Sequence, residues 1–169
     1  REDAIKDSDR IKFENENIKG SISLKGGIID DLIFKNYTET LDGQNNITLL
    51  SPKKFSQGYY VETGWVSSSK NIDLPDSKTI WKVDGNNKLA PNQSVTLTWN
   101  NNQGIVFEKI IQIDEKFLFS IDQKIENKSN KSYDFYSYGQ IIRNKSPDIT
   151  NFYILHEGLI GVFDEQLVE

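Results

Sequence analysis

The chain has 169 residues and a mass of 19.4 kDa, with 36% hydrophobic, 11% aromatic and 27% charged residues and a net charge of −5. That is enough apolar material for one buried core and too much for global disorder, while a pI near 5.0 offers no basic field for nucleic acid or anionic lipid head groups, so no nucleic-acid partner is expected. Without cysteine and with a single histidine the chain is expected to hold neither a disulfide framework nor a metal or other cofactor.

Residues 1–9 are mostly charged and lack apolar periodicity, which suits a solvated tether. From Arg10 onward the pattern is that of one domain, residues 10–169, built of short strands. Ile11 and Phe13, then Ile18, Ile22 and Leu24, alternate with polar residues, and Gly26-Gly27 supplies the positive φ angles of a tight reversal before the run 28–37. The lysine and hydroxyl of a phosphate loop do not follow that glycine pair, and no helix does. Further strands are expected at 47–51, 58–66, 79–83 and 94–99, separated by polar or turn-forming stretches such as Asp84-Gly85-Asn86-Asn87.

Residues 104–143 hold three apolar runs with two-residue alternation, read here as a β-meander. Ile105, Phe107, Ile111 and Ile113 share one face of the first run, and Phe117, Phe119, Ile121 and Ile125 one face of the second, with Asp114-Glu115-Lys116 as a hairpin loop. The third run, 133–143, is apolar on both parities, so it is expected to be a central strand covered on both faces. Gly139 would lie where a facing chain approaches closely, making Gly139→Val cost about 1 to 3 kcal/mol. After Pro147, residues 152–155 and 159–163 read as two more strands. No convincing helical period exceeds about ten residues, no window approaches the roughly 20 apolar residues of a membrane-spanning helix, and no long repeat is present. Two packed antiparallel sheets are therefore expected.

Catalytic constellations are sparse. His156 and Glu157 are adjacent, but on a strand neighbouring side chains leave on opposite faces and cannot converge on one substrate. Asp30-Asp31 and Asp114-Glu115 are carboxylate pairs beside turns, where solvation alone accounts for them. Trp65, Trp81 and Trp99 sit in apolar strand patterns and are expected in the core. Six Asn-x-Ser/Thr matches, at Asn36, Asn46, Asn92, Asn127, Asn130 and Asn144, follow from a composition rich in asparagine. No catalytic, cofactor-binding or metal residue is assigned. Tyr60, Tyr136, Tyr138 and Arg143 are the candidates for a cleft that takes a carbohydrate or a peptide.

Several landmarks taken in order carry a resemblance: Ile22-Ser23-Leu24-Lys25-Gly26-Gly27-Ile28-Ile29, the short run 49–51, the aromatic strand from Tyr59 to Trp65, the hairpin 96–109, and Gln123-Lys124-Ile125-Glu126-Asn127. Tyr138-Gly139-Gln140-Ile141-Ile142-Arg143 and His156-Glu157-Gly158-Leu159-Ile160-Gly161 complete the series. In this order the chain resembles the large periplasmic domain of the bacterial YidC membrane protein insertase. The resemblance implies an all-β antiparallel β-supersandwich, galactose mutarotase-like, with little helix, held in the periplasm between the first two transmembrane helices of an inner-membrane protein. It further implies a non-catalytic module that assists membrane-protein insertion and folding and associates with the Sec translocon. The chain is expected to be an excised piece, since it has no methionine at all, and to stop before the closing strand and helical segment of that family. An aldose epimerase or mutarotase on the same sandwich is the enzymatic alternative, although such enzymes use two histidines with a glutamate.

Overall fold

The computed structural model describes residues 1–85, 87–145 and 160–168. One short helix, α1 (Glu2–Ile5), is followed by β1 (Arg10–Glu14), β2 (Ile18–Ser23), β3 (Ile28–Thr38), β4 (Asn46–Leu50) and β5 (Tyr59–Ser67). Then come β6 (Lys82–Asp84), β7 (Lys88–Leu89), β8 (Ser94–Asn100), β9 (Ile105–Ile113), β10 (Phe119–Asn127), β11 (Phe135–Arg143), β12 (Gly161–Phe163) and β13 (Gln166–Val168). The fold is all-β, as expected, and no helix among the described residues is long and apolar enough to cross a membrane. The expected strand 152–155, and with it His156 and Glu157, lies outside the described residues.

Two sheets pack face to face. The large one has the order β11-β5-β3-β2-β1-β7, with β4 also alongside β3; the small one has the order β10-β9-β8-β6. All pairings are antiparallel except the two-residue contact of β7 with β1, which the sequence pattern did not suggest. Alternation decides what lies between the sheets: Ile11, Phe13, Ile18, Ile22 and Trp65 from the large sheet meet Val95, Leu97, Ile105, Phe107 and Ile111 from the small one. Trp65 and Trp81 are core residues, with the Trp65 ring 5.2 Å from Phe107 and 6.3 Å from Trp81, and the half-buried Trp99 packs against them, 5.7 Å from Phe107.

The Gly26-Gly27 reversal is present, with φ of 79° and 60°. Gly27 has a second reason to lack a side chain, because a Cβ there would stand 2.9 Å from Trp81 Nε1 and 3.3 Å from Lys109 Nζ.

The three-strand meander is not formed. β9 and β10 pair along nine positions, but β11 crosses to the large sheet and pairs with β5 from Phe135 opposite Ser67 to Arg143 opposite Tyr59. The connection from 128 to 134 is longer than a hairpin loop and polar throughout most of its length, so it can bridge the two layers rather than turn within one. Nor is β11 central: among the described residues it ends the large sheet, and Tyr136 and Ile141 are more than half exposed. Gly139 is exposed, and a Cβ there would meet only Thr63 Cγ2, at 3.8 Å. The penalty expected for Gly139→Val therefore has no packed wall to produce it.

Candidate functional site

The register of β11 on β5 fixes where the candidate residues stand. Trp65 points into the core, so Tyr60, Glu62 and Gly64 point to the outer face of the large sheet. Tyr136, Tyr138 and Ile142 lie opposite Val66, Gly64 and Tyr60 on that same face. Tyr60 is only 3% exposed, covered by Lys53, whose Nζ is 5.3 Å from the ring centre and 3.2 Å from Glu62 Oε2. Tyr138 lies over Gly64 and places its hydroxyl 3.4 Å from Glu62 Oε1. Burial and the neighbouring Glu62 carboxylate push the Tyr138 phenol above its ordinary value. Tyr60, Tyr138, Glu62 and Lys53 thus form one group. Tyr136 stands two residues farther along, with its ring in the open, and Arg143 has the other parity at the strand end, its guanidinium 5.3 Å over the Tyr59 ring.

Farther across the same face lie Asp30 and Asp31, which are buried within β3 and are not the solvated turn residues expected. The pairing of β2 with β3 shifts between Ser21 and Ile22, so that Ser21 faces Asp31 and Ile22 faces Ile29, leaving Asp30 as an extra residue. Such a bulge turns two consecutive side chains toward one face. Each carboxylate receives an arginine: Arg10 pairs with Asp30 and Arg1 with Asp31. Ser21 links them, accepting from Arg10 Nε at 2.7 Å and donating to Asp31 Oδ2 at 2.6 Å. Burial nevertheless pushes the Asp30 carboxyl up, against the pull of Arg10.

Residues 1–9 lie against this network. Ser8 and Ser23 hydroxyls are 2.7 Å apart, Leu24 N donates to Asp9 O at 2.9 Å, and Asp7 meets Lys54 at 2.8 Å and Lys25 at 3.4 Å. Hydrogen bonds from those two lysines lower the Asp7 carboxyl.

A further polar group, between the sheets, was missed by the sequence reading. Lys109 shares the inward parity of Phe107 and Ile111 on β9 and is 1% exposed. Its ammonium donates to Thr63 O at 2.6 Å and Gly27 O at 3.1 Å and lies 5.0 Å from the Trp81 ring centre. Opposite it on β10, Gln123 donates to Gly64 O at 2.8 Å. Two neighbouring strands of the small sheet therefore hold consecutive carbonyls of β5 in the large one.

Burial pulls the Lys109 ammonium down from 10.5 to about 8, with the Glu62 carboxylate acting in the opposite sense. Between that value and the unfolded one, the unfolded chain binds more protons, so stability rises with pH across the window; below it both states are protonated and the contribution is flat. We expect a gain of about 2 kcal/mol between pH 7 and 10, read from urea midpoints, and its loss in Lys109→Met. A wild-type midpoint that only falls over that range would contradict the assignment.

Comparison with known proteins places these features in a family. The YidC periplasmic domain family matches residues 10–169. The chain is 58% identical, over its whole length, to the membrane protein insertase YidC of Pelagibacter ubique. It is 44% identical over 96% of its length to the same-named protein of Methylorubrum extorquens, and 40% over 98% to that of Methylobacterium nodulans. It spans 26–30% of the length of these relatives. The core alternation, the Gly-Gly reversal and the Tyr-Gly-Gln strand all fall within the matched region, and this chain belongs to the YidC periplasmic domain family.

Proposed function

We propose that this chain is a non-catalytic periplasmic domain of an inner-membrane protein insertase, which assists insertion and folding of membrane proteins through protein–protein contacts with the Sec translocon. The observation that carries the reading is the family match across residues 10–169, joined to relatives that are named membrane protein insertases. The membrane-protein substrates are handled by the membrane-embedded remainder of the parent. Residues 1–9 serve as its charged linker, laid along the outer face, and 10–169 act as one sandwich.

The chemistry of the outer face supports contact rather than turnover. Glu62 is engaged by Lys53 and Tyr138, and Asp30 and Asp31 by arginines, so these groups stabilise one another instead of converging on a reacting atom. A pull-down of inner-membrane proteins on the immobilised domain should enrich Sec components; equal recovery on a blank resin would sink the partner role. A second reading, a carbohydrate- or peptide-binding module, is favoured by Tyr136, 59% exposed two residues from Tyr138 on one face. Retention on glycan or peptide arrays that disappears in Tyr136→Ala would support it.

A further inference from the structure

We propose that the pocket where β4 ends, β5 begins and β11 ends binds a phosphate group, free or carried on a lipid head group, with Arg143 as its principal ligand. The pocket has a volume of about 310 Å³ and is lined by Arg143, Lys145, Arg1, Gln57, Tyr59 and Glu39, among others. Among the described residues that line it are three cations and one carboxylate, Arg1 being paired with Asp31, in a chain whose net charge is −5. A local reversal of the overall sign is what selects an anion over the surrounding acidic surface.

Arg143 is prepared for that role. Its guanidinium lies 5.3 Å over the Tyr59 ring, a cation–π contact that favours this placement, and among the described residues it forms no ion pair. A guanidinium offers paired N–H donors with the geometry of a phosphate edge. Arg1 reaches the same pocket while paired with Asp31, and so contributes less of its charge.

The frame behind Arg143 is fixed by its neighbour. Asn144 donates from its side chain to Lys53 O at 3.0 Å and Phe55 O at 3.1 Å, and from its backbone to Gly58 O at 2.8 Å. The wall formed by residues 51–58 is thereby stapled to the end of β11, and a ligand would find the site already shaped.

The test titrates the 169-residue chain with inorganic phosphate and with glycerol 3-phosphate, following amide and arginine Nε–H resonances. In parallel it measures co-sedimentation with vesicles of phosphatidylglycerol in phosphatidylcholine, against phosphatidylcholine alone. Saturable shifts at residues around the pocket with the soluble phosphates identify a free phosphate ligand, and retention only on the phosphatidylglycerol vesicles identifies a head group. In either case Arg143→Gln should weaken binding about tenfold or more, the loss of one charge-assisted pair, with an unchanged urea midpoint, while Arg143→Lys should fall between. No saturable binding in any arm, or binding indifferent to Arg143→Gln, overturns the proposal.

Discussion

Removing the Arg10 side chain is expected to cost about 3 to 5 kcal/mol, the range found when one partner of a buried ion pair is deleted. Both members are largely shielded from water, with side-chain exposures of 9% for Arg10 and 6% for Asp30. Arg10→Ala would leave the Asp30 carboxylate without its counter-charge, still beside Asp31, and would deprive Ser21 Oγ of a donor. The pH dependence gives the mechanism away. The folded-state carboxyl of Asp30 is already raised by burial, so the folded state takes up its proton first as pH falls, and acidification returns stability. Loss of Arg10 raises it further. The deficit of Arg10→Ala, measured by urea midpoints, should therefore be smaller at pH 5 than at pH 8, and Arg10→Ala/Asp30→Asn should recover a large part of it. A deficit that is independent of pH and untouched by Asp30→Asn would mean that packing of the Arg10 stem, not its charge, matters.

Gly20→Val should cost about 3 kcal/mol or more, at the upper end of overpacking penalties. Gly20 lies inside β2, opposite Phe13 on β1 and Leu32 on β3. A Cβ at this position would run into the Asp31 carbonyl oxygen and come within 2.6 Å of Phe13 Cζ. The Phe13 ring is itself packed edge-on against Phe119, 5.1 Å away, and cannot swing aside without opening the core. The backbone oxygen is anchored by the bulge that also positions the two aspartates. Gly20→Val should thus lower the urea midpoint at unchanged slope, and also loosen the Arg10–Asp30 region, visible as faster amide exchange around 30–31. A stability within about 0.5 kcal/mol of wild type would show that β2 and β3 can separate cheaply.

Much of this was legible in the sequence because alternation reports burial directly. Ile11 and Phe13, Val95 and Leu97, and Phe107 and Ile111 were assigned to the interior from parity alone, and they are there. The partner of a strand is another matter. β11 is apolar on both parities, which local pattern cannot distinguish from a central strand; its choice of β5 over β10 depends on the layer-crossing connection and on which edge is left open. A close-approach glycine was expected in that strand at 139, whereas Gly20 is the one inside a strand that lies against a neighbouring backbone, and closeness of that kind depends on the partner strand. Lys109 did leave a mark: it is the one charged member of an otherwise apolar parity set, as Gln123 is the polar member of the next. Asp30-Asp31 left another, since two acids in succession inside the run 28–34 break strict alternation as a bulge does. Of the four cleft candidates, Tyr136 and Tyr138 share a face by counting, Tyr60 joins them only through the register of β5 on β11, and Arg143 has the other parity at the strand end.

The crossing from β10 to β11 also sets the order in which the fold can be assembled when the chain is delivered from its N-terminal end. β1, β2 and β3 are hairpin neighbours and can pair as soon as they are made. β5 cannot: it shares one ladder position with β3, Ile29 opposite Val61, and nine with β11, the last strand of either sheet among the described residues. Until Phe135 to Arg143 emerge, most of the β5 edge has no partner, and all the strands of the small sheet precede them in the chain. The large sheet is therefore completed last and from its far side, which makes late, long-range pairing the slow step and leaves the β5 edge as the surface that a nascent chain must be kept from sharing with a neighbour.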